Sequence, residues 1–458
     1  MNKKTALTIL VIVLIVAILL VGFFLFFQKQ SEQKNPVIEA ARNFFGGFFP
    51  TANTNDQNNQ SNNTDNQNST TGNGVIPRLR QISNFPAAGG VMFERTSTTS
   101  SLLTQESFGT STASSTNSSQ KTTEVVYRFV ERATGHVYET TSKNLSQQRI
   151  TNTTIPKVYQ AYFSGDGENL SMIYLDPSQA IETFLGKINY PKDATNTATS
   201  TYETNKKSEE NFANITGNFL PIESFGFTKS QTSNDFAFLR TSDSVSEGYI
   251  VNLYTGNLKT PLLNKNVYTL NTSEWKIQML QDGTLALNTK PSATSEGFLY
   301  FLNPKEGILK KKIGNTIGLT SLVSPDGQKI FYSYNDSGST KAVVYDSIKK
   351  TYTSITLSTI VGDKCVWGTK NNTLVYCAIP TNLVRGDFPD IWYQGKYAFN
   401  DSLVAINTDD FNVENLMLAN SETKGDLDIT NLQLSPNEDY LMFMNKSDLI
   451  LWSLDIIS

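Results

Sequence analysis

The sequence predicts an all-β fold, a seven-bladed β-propeller with six or eight blades as alternatives, closed by an N-terminal strand and preceded by one transmembrane helix and a disordered linker. Three observations predict it. Strand-forming and turn residues dominate the composition. A strand, turn, strand unit recurs along the chain, as in "SLVSPDGQKIFYSYND", residues 321 to 336. The last copy of that unit lacks its final strand, and an unclaimed strand-like segment stands near the start.

The chain has 458 residues. Its opening segment, Thr5 to Phe27, carries no charge. As a helix it would rise about 34 Å, enough for a ~30 Å hydrocarbon core. A cleaved signal would show a shorter apolar region and a small-residue cleavage site, so residues 1–34 are expected to be a cytoplasmic stub and uncleaved anchor. The expected location is a single-pass membrane protein with its N-terminus in the cytoplasm and the rest outside it. Residues 35–50 form a juxtamembrane segment with Val37, Ala41, Phe44, Phe45 and Phe48 at roughly helical spacing. Residues 51–75 are rich in Asn and almost free of apolar side chains, so they cannot offset the entropy of folding and read as a flexible linker. Its reach as a coil is roughly 25 to 30 Å.

Residues 76–458 hold the repeats. Copies include "KVYQAYFSGDGENLSMIYLD", "WKIQMLQDGTLALNT" and "LQLSPNEDYLMFMN". The turns at Asp282, Asp326, Asn371 and Glu438 lie 44, 45 and 67 residues apart, the last gap containing an insertion. Four short strands about every 45 residues is the spacing of a propeller blade. One blade has two apolar faces and cannot bury them alone, whereas a ring buries each against a neighbour. The final copy ends after "LILWSLDII", while "PRLRQISN" (77–84) resembles "SQQRITN" (146–152), which occupies a fourth-strand position. The N-terminal segment is therefore expected to complete the last blade, Leu79 to Ser83 pairing within Leu449 to Ile456.

The segment "SPDGQKIFYSY" resembles the repeat of TolB-like propeller proteins, relatives of the WD-type repeat. "ERATGHVYE", "TFLGKI" and "CAIPTNL" with "IWYQGKYAFND" further resemble uncharacterised membrane-anchored bacterial propellers. The resemblance implies fold and an envelope location, and it carries over no catalytic residue. Individual copies depart from the pattern, Asn437-Glu438 standing where Asp-Gly is expected.

Alternation of strands assigns each insertion to a face. The polar stretch Thr96–Thr123 falls in the first A–B connection and Asn189–Asn211 in the second C–D connection, both expected to be mobile and solvated. Thr381–Asn400 is the B–C insertion of blade six, on the opposite face. It gathers Arg385, Asp387, Asp390, Trp392 and Tyr393, a mixture enriched in binding surfaces, and is the candidate binding loop. The alternative is that Phe388, Trp392 and Tyr393 pack the loop onto the blade.

In "KCVWGTKNNTLVYCAIP" a hairpin pairing Thr369 with Thr373 places Cys365 opposite Cys377, which predicts a disulfide; two buried free thiols are the alternative. One histidine and two cysteines leave no multi-ligand metal set, no G-x-S-x-G occurs, and no basic stripe is interleaved with aromatics. No catalytic residue, metal or cofactor is therefore nominated, and nucleic acid is not expected as a partner. The expected partners are the membrane, through Thr5 to Phe27, and a protein or envelope polymer on one face of the ring. The leading expectation is a tethered, extracytoplasmic, non-catalytic binding or scaffolding module in a cell-envelope complex. The alternative is a propeller enzyme, a glycan or peptide hydrolase or lyase with its site in the central channel.

Overall fold

The computed structural model describes residues 76–100, 119–178, 180–190, 212–220, 224–229, 235–242, 245–252, 269–270 and 275–457. The chain divides into two units, 1–74 and 75–458, and the described residues belong to the second. The expected anchor Thr5–Phe27, the juxtamembrane segment 35–50 and the linker 51–75 lie outside them, as do 101–118 and 191–211 of the two polar insertions.

The described residues form seven four-stranded antiparallel sheets. Strand β1 (Leu79–Gln81) stands apart from the strands that follow it in sequence. Sheet 1 is β2 (Ala87–Ser100), β3 (Ser119–Glu131), β4 (Val137–Thr141) and β5 (Gln148–Arg149). Sheet 2 is β6 (Val158–Phe163), β7 (Asn169–Leu175), β8 (Ile181–Asn189) and β9 (Asn214–Phe219). Sheet 3 is β10 (Ser224–Lys229), β11 (Asp235–Ser242), β12 (Val245–Asn252) and β13 (Thr269–Leu270). Sheet 4 is β14 (Trp275–Met279), β15 (Leu285–Thr289), β16 (Glu296–Asn303) and β17 (Ile308–Ile317). Sheet 5 is β18 (Thr320–Val323), β19 (Lys329–Asp336), β20 (Ser339–Asp346) and β21 (Thr351–Ile355). Sheet 6 is β22 (Cys365–Trp367), β23 (Leu374–Pro380), β24 (Asp401–Asn407) and β25 (Val413–Met417). These six are continuous in sequence. The remaining sheet, sheet 7, joins β26 (Ile429–Leu434), β27 (Tyr440–Asn445) and β28 (Leu451–Asp455) to β1.

The second strand of each described sheet carries consecutive buried residues, as in Val375–Ala378 and Leu441–Met444, so a sheet has two faces to bury. Each face meets the next sheet in its own cluster. Phe163 and Leu170 pack with Val91 and Val130 between sheets 1 and 2, and Phe236 and Phe238 pack with Ile173 and Leu185 between 2 and 3. Leu239 meets Trp275 and Leu287 between 3 and 4, and Leu299 and Leu319 meet Ile330 between 4 and 5. Phe331 and Val344 meet Trp367 and Val375 between 5 and 6. Leu403 meets Leu441 and Phe443 between 6 and 7. The circle closes where Tyr127 and Phe129 meet Met442 and Leu451. Inner strands approach closely at this scale: a Cβ at Gly89 would lie 2.1 Å from the Ala161 carbonyl oxygen, so only glycine fits there.

The closure pairs Leu79 with Leu454, Arg80 with Ser453 and Gln81 with Trp452. Flanking bonds extend it, Ile82 N–H donating to the Leu451 carbonyl at 2.7 Å and Asp455 N–H to the Arg78 carbonyl at 2.9 Å. Side chains lock the same seam. Tyr127 Oη and Ser453 Oγ are 2.9 Å apart, and Arg80 lies over the Tyr440 ring while donating to the Ser142 carbonyl.

The expected single-pass arrangement is corrected. Among the described residues no helix is long and apolar enough to cross a membrane. The described helices, Val361–Lys364 and Asp390–Tyr393, have four residues each. At 1.5 Å per residue they rise about 6 Å, a fifth of a bilayer core. The placement of the N-terminus in the cytoplasm and the ring outside it depended on the anchor and has no support from the described residues.

The stretch 96–123 also departs from expectation. Rather than a loop throughout, its ends extend the β2–β3 hairpin, with register pairs from Thr96–Thr123 to Ser100–Ser119. Hydroxyl pairs across the strands, Thr96 with Thr123 at 3.2 Å and Ser97 with Thr122 at 2.9 Å, suit β-branched and small polar residues to a solvated ladder.

The repeated turn has a shared internal geometry. Ser324 Oγ donates to Asp326 at 2.6 Å and accepts from Lys329 N–H, and Gly327 takes φ 74°. In the last copy Glu438 holds φ 60° in the corresponding turn. Its carboxylate then accepts from the Thr369 and Lys370 N–H groups at 2.6 and 2.7 Å, fastening sheet 7 to the turn of sheet 6. Cys365 and Cys377 stand directly opposite in the β22–β23 pair and are joined by a disulfide, with Cα atoms 4.1 Å apart.

Two outcomes follow. Leu79→Ala should cost about 2–5 kcal/mol in urea unfolding, and hydrogen exchange should show β28 deprotected before the third strands of the other sheets. Replacing both cysteines by serine removes a crosslink with a sequence separation of 12 and should lower stability by about 3 kcal/mol, read from the denaturation midpoint.

Candidate functional site

The segment between β23 and β24, residues 381–400, contributes a short helix and an apolar cluster of its own. Phe388, Trp392 and Phe399 are buried with Ile360, and Leu383, Ile391, Tyr393 and Tyr397 pack around them. Phe388 and Phe399 stack with ring centroids 5.4 Å apart. The bulky residues recur near helical spacing over Phe388–Trp392, which lets one turn of helix direct them to the same side.

The loop crosses onto three other blades. Gly386 N–H donates to the Gly338 carbonyl at 2.9 Å, and Asn335 Nδ2 donates to the Gly386 and Phe388 carbonyls, all in the β19–β20 end of sheet 5. Asp390 accepts from Ala293 N–H at 2.6 Å and Ser292 Oγ at 3.2 Å in the β15–β16 connection of sheet 4. On sheet 7, Lys446 Nζ donates to the Trp392 carbonyl at 2.8 Å. These are B–C connections, so the loop is a cap over one face of the ring.

Beneath it lies a fully buried charge cluster. Lys364 Nζ donates to Asp401 at 2.6 Å, Asp428 at 2.7 Å and the Ile429 carbonyl at 2.9 Å. Trp392 Nε1 donates to both Asp428 oxygens, at 3.0 and 2.9 Å. The ammonium sits 5.1 Å from the Trp392 ring and 4.8 Å from that of Phe399. Each partner starts or precedes a strand: Lys364 ends the helix before β22, Asp401 opens β24 and Asp428 precedes β26. Burial pushes the Asp401 carboxyl up to about 6 against the opposing pull of Lys364. Its Oδ1 is buried without a hydrogen-bond partner.

A second cluster is part-buried, with Lys276 its exposed member. Tyr393 Oη donates to Asp363 Oδ2 at 2.6 Å and accepts from Lys276 Nζ at 3.0 Å, while Lys276 also pairs with Asp363 Oδ1. Burial, followed by the Asp363 charge, raises the Tyr393 phenol well above its ordinary range. It is a proton donor at neutral pH. Among the described residues no group of three or more His, Cys, Asp or Glu is placed to hold a metal.

The five nominated loop residues therefore divide. Asp390, Trp392 and Tyr393 are tied to neighbouring blades, whereas Arg385 and Asp387 are exposed. Sequence reasoning did not find Lys276, Asp363, Lys364, Asp401 or Asp428. The available signal was a charged residue abutting or inside a short inner-strand pattern, as in "GDKCVW" and "LDITNL". Nothing in the local spacing pairs Lys364 with Asp401 and Asp428, 37 and 64 positions away, or Lys276 with Asp363, 87 positions away.

No family model and no curated protein matches the chain. The inward-packed sheets and the closed seam settle the architecture. It is a β-propeller. Solved structures to which the chain is similar include oligogalacturonate lyase from Vibrio parahaemolyticus, at 10% identity and a TM-score of 0.44 over 81% of this chain and 98% of that one. TolB from Acinetobacter baumannii is similar at 10% identity and a TM-score of 0.38, over 73% and 76% of the two chains. The propeller domain of the Trilobed protease from Pyrococcus furiosus is similar at 9% identity and a TM-score of 0.37, over 60% and 75%. The likeness is one of strand arrangement, and no residue role passes from those proteins to this chain.

Lys364→Met should cost about 3–5 kcal/mol, because it leaves two carboxylates buried beside each other, whereas Arg385→Ala should stay within about 0.5 kcal/mol. The Asp401 carboxyl holds its proton to higher pH in the folded protein than in the unfolded chain, whose value is near 3.8. Its contribution to stability is therefore complete below about 4 and lost as pH rises through about 6. Asp401→Asn should flatten the wild-type fall in unfolding free energy across that window, measured by urea titration at successive pH values.

Proposed function

We propose that this chain is a protein-binding module that uses the cap, residues 381–400, as a preordered recognition edge. One observation carries the reading. The cap directs its aromatic residues inward and its backbone is fastened to sheets 4, 5 and 7, so Val384, Arg385 and Asp387 project from a rigid base. A loop already ordered loses little entropy when a partner docks, and this favours recognition by a small surface.

A second reading has a separate observation in its favour. Lys276, Asp363 and Tyr393 bring an ammonium, a carboxylate and a protonated phenol together from three elements, with the Lys276 side chain 43% exposed. An exposed positive charge beside a proton-donating phenol suits a hydrolase or lyase that binds an anionic group and protonates a leaving oxygen. Turnover of uronate-containing oligosaccharides by the purified chain, lost in Tyr393→Phe with unchanged melting, would favour this over the binding reading.

The binding reading is tested by a photoreactive amino acid placed at Val384 in the full chain in its own cells, with Ile348 on the opposite face as the control. The expected result is a discrete adduct at Val384, absent at Ile348 and weakened by Arg385→Glu. No adduct, or the same adducts at both positions, overturns it.

A further inference from the structure

Residues 385 to 387 read Arg-Gly-Asp. The central glycine is clamped at both backbone groups, its N–H on the Gly338 carbonyl and its carbonyl on Asn335 Nδ2, each at 2.9 Å. A Cβ at Gly386 would lie 2.9 Å from Ile391 Cδ1, the far end of that side chain, and 3.5 Å from the Phe388 ring, so the glycine packs closely on the cap's own apolar side chains. Phe388, two residues on, is buried, and its carbonyl accepts from the same Asn335 amide at 3.0 Å. The chain is thus pinned at and just after the glycine. Arg385 and Asp387 on either side are exposed, and among the described residues neither side chain has an ion-pair or hydrogen-bond partner.

This contrasts with the charged groups beneath the cap and at its helix. Asp390, Lys446, Lys364, Asp363 and Lys276 all have partners. Lys396 on the cap is exposed as well, but it stands alone, without a charge of opposite sign beside it in sequence. Two opposite charges are thus rooted on a fixed stretch of backbone, one clamped residue apart.

Pairing with ordinary exposed side chains would return only about 0–1 kcal/mol for each charge. That is small against the several kcal/mol lost when two proteins associate. A divalent cation concentrates charge, and a carboxylate with free oxygens can coordinate it at roughly 2.0–2.6 Å. A guanidinium fits a carboxylate-lined pocket through paired N–H bonds.

We propose that Arg385 and Asp387 form a two-point ligand for a partner protein whose surface holds a divalent cation beside an acidic pocket. The cation takes the Asp387 carboxylate and the pocket takes the Arg385 guanidinium. The inference rests on the cap being a recognition edge and adds the chemistry of what it recognises.

The probe is an immobilised receptor fragment that binds Arg-Gly-Asp peptides through a bound divalent cation, with the full chain as analyte. Binding is expected in magnesium or manganese, lost in chelator and competed by a short Arg-Gly-Asp peptide. Asp387→Glu, which moves the carboxylate by one methylene, and Arg385→Ala should each weaken it by at least about tenfold with unchanged melting. Absence of binding, or binding that survives chelator or Asp387→Glu, overturns the proposal. A Val384 adduct in cells that is insensitive to chelator overturns it too, while leaving the recognition edge standing.

Discussion

The structure depends on a circle being closed. Each sheet buries two apolar faces only if it has a neighbour on both sides, and an open ring would expose the faces now formed by Leu451 and Met442 on one side and Tyr127 and Phe129 on the other. Closure is made by strand pairing between residues more than 370 positions apart, Arg80 with Ser453 at the centre of the register. Because β1 is the outer strand of sheet 7 while β2 begins sheet 1, the short segment between them ties the first sheet to the last. The side chain of Arg80 strengthens that tie by reaching the Ser142 carbonyl.

On the base that closure provides, the cap is a secondary construction. Its aromatic residues would be a liability in water, and the ring gives them a surface to cover. The buried ammonium of Lys364 is tolerable because two carboxylates and a carbonyl face it, and the Trp392 indole N–H satisfies one of those carboxylates further. Lys364, Asp401 and Asp428 come from sheets 6 and 7, so the same cluster that seats the cap also joins two blades.

Fastening the cap in this way decides which of its residues remain available. Trp392 and Tyr393 belong to the classes often found at the centres of interfaces, yet here they are committed to intramolecular contacts. What stays outward is small and charged. A recognition surface of this sort acts through geometry and concentrated charge rather than through buried area, and a rigid support is the condition for it.

Local pattern along the chain is enough for the period, the strand order within each blade, the cross-strand Cys365–Cys377 pair and the partner of the first strand. These are local or register-level properties: alternation of period two, turn residues at fixed offsets, and a count of strands that comes out one short. It also placed the insertion at 381–400. Tertiary structure alone decided that Asp390, Trp392 and Tyr393 turn inward, that Lys364 meets Asp401 and Asp428, and that Glu438, the residue departing from the repeat, bridges to the neighbouring turn. Those contacts join residues dozens of positions apart, most of them on different blades brought together by the curvature of the ring. No one-dimensional pattern encodes that curvature, because it arises from how seven twisted sheets pack face to face.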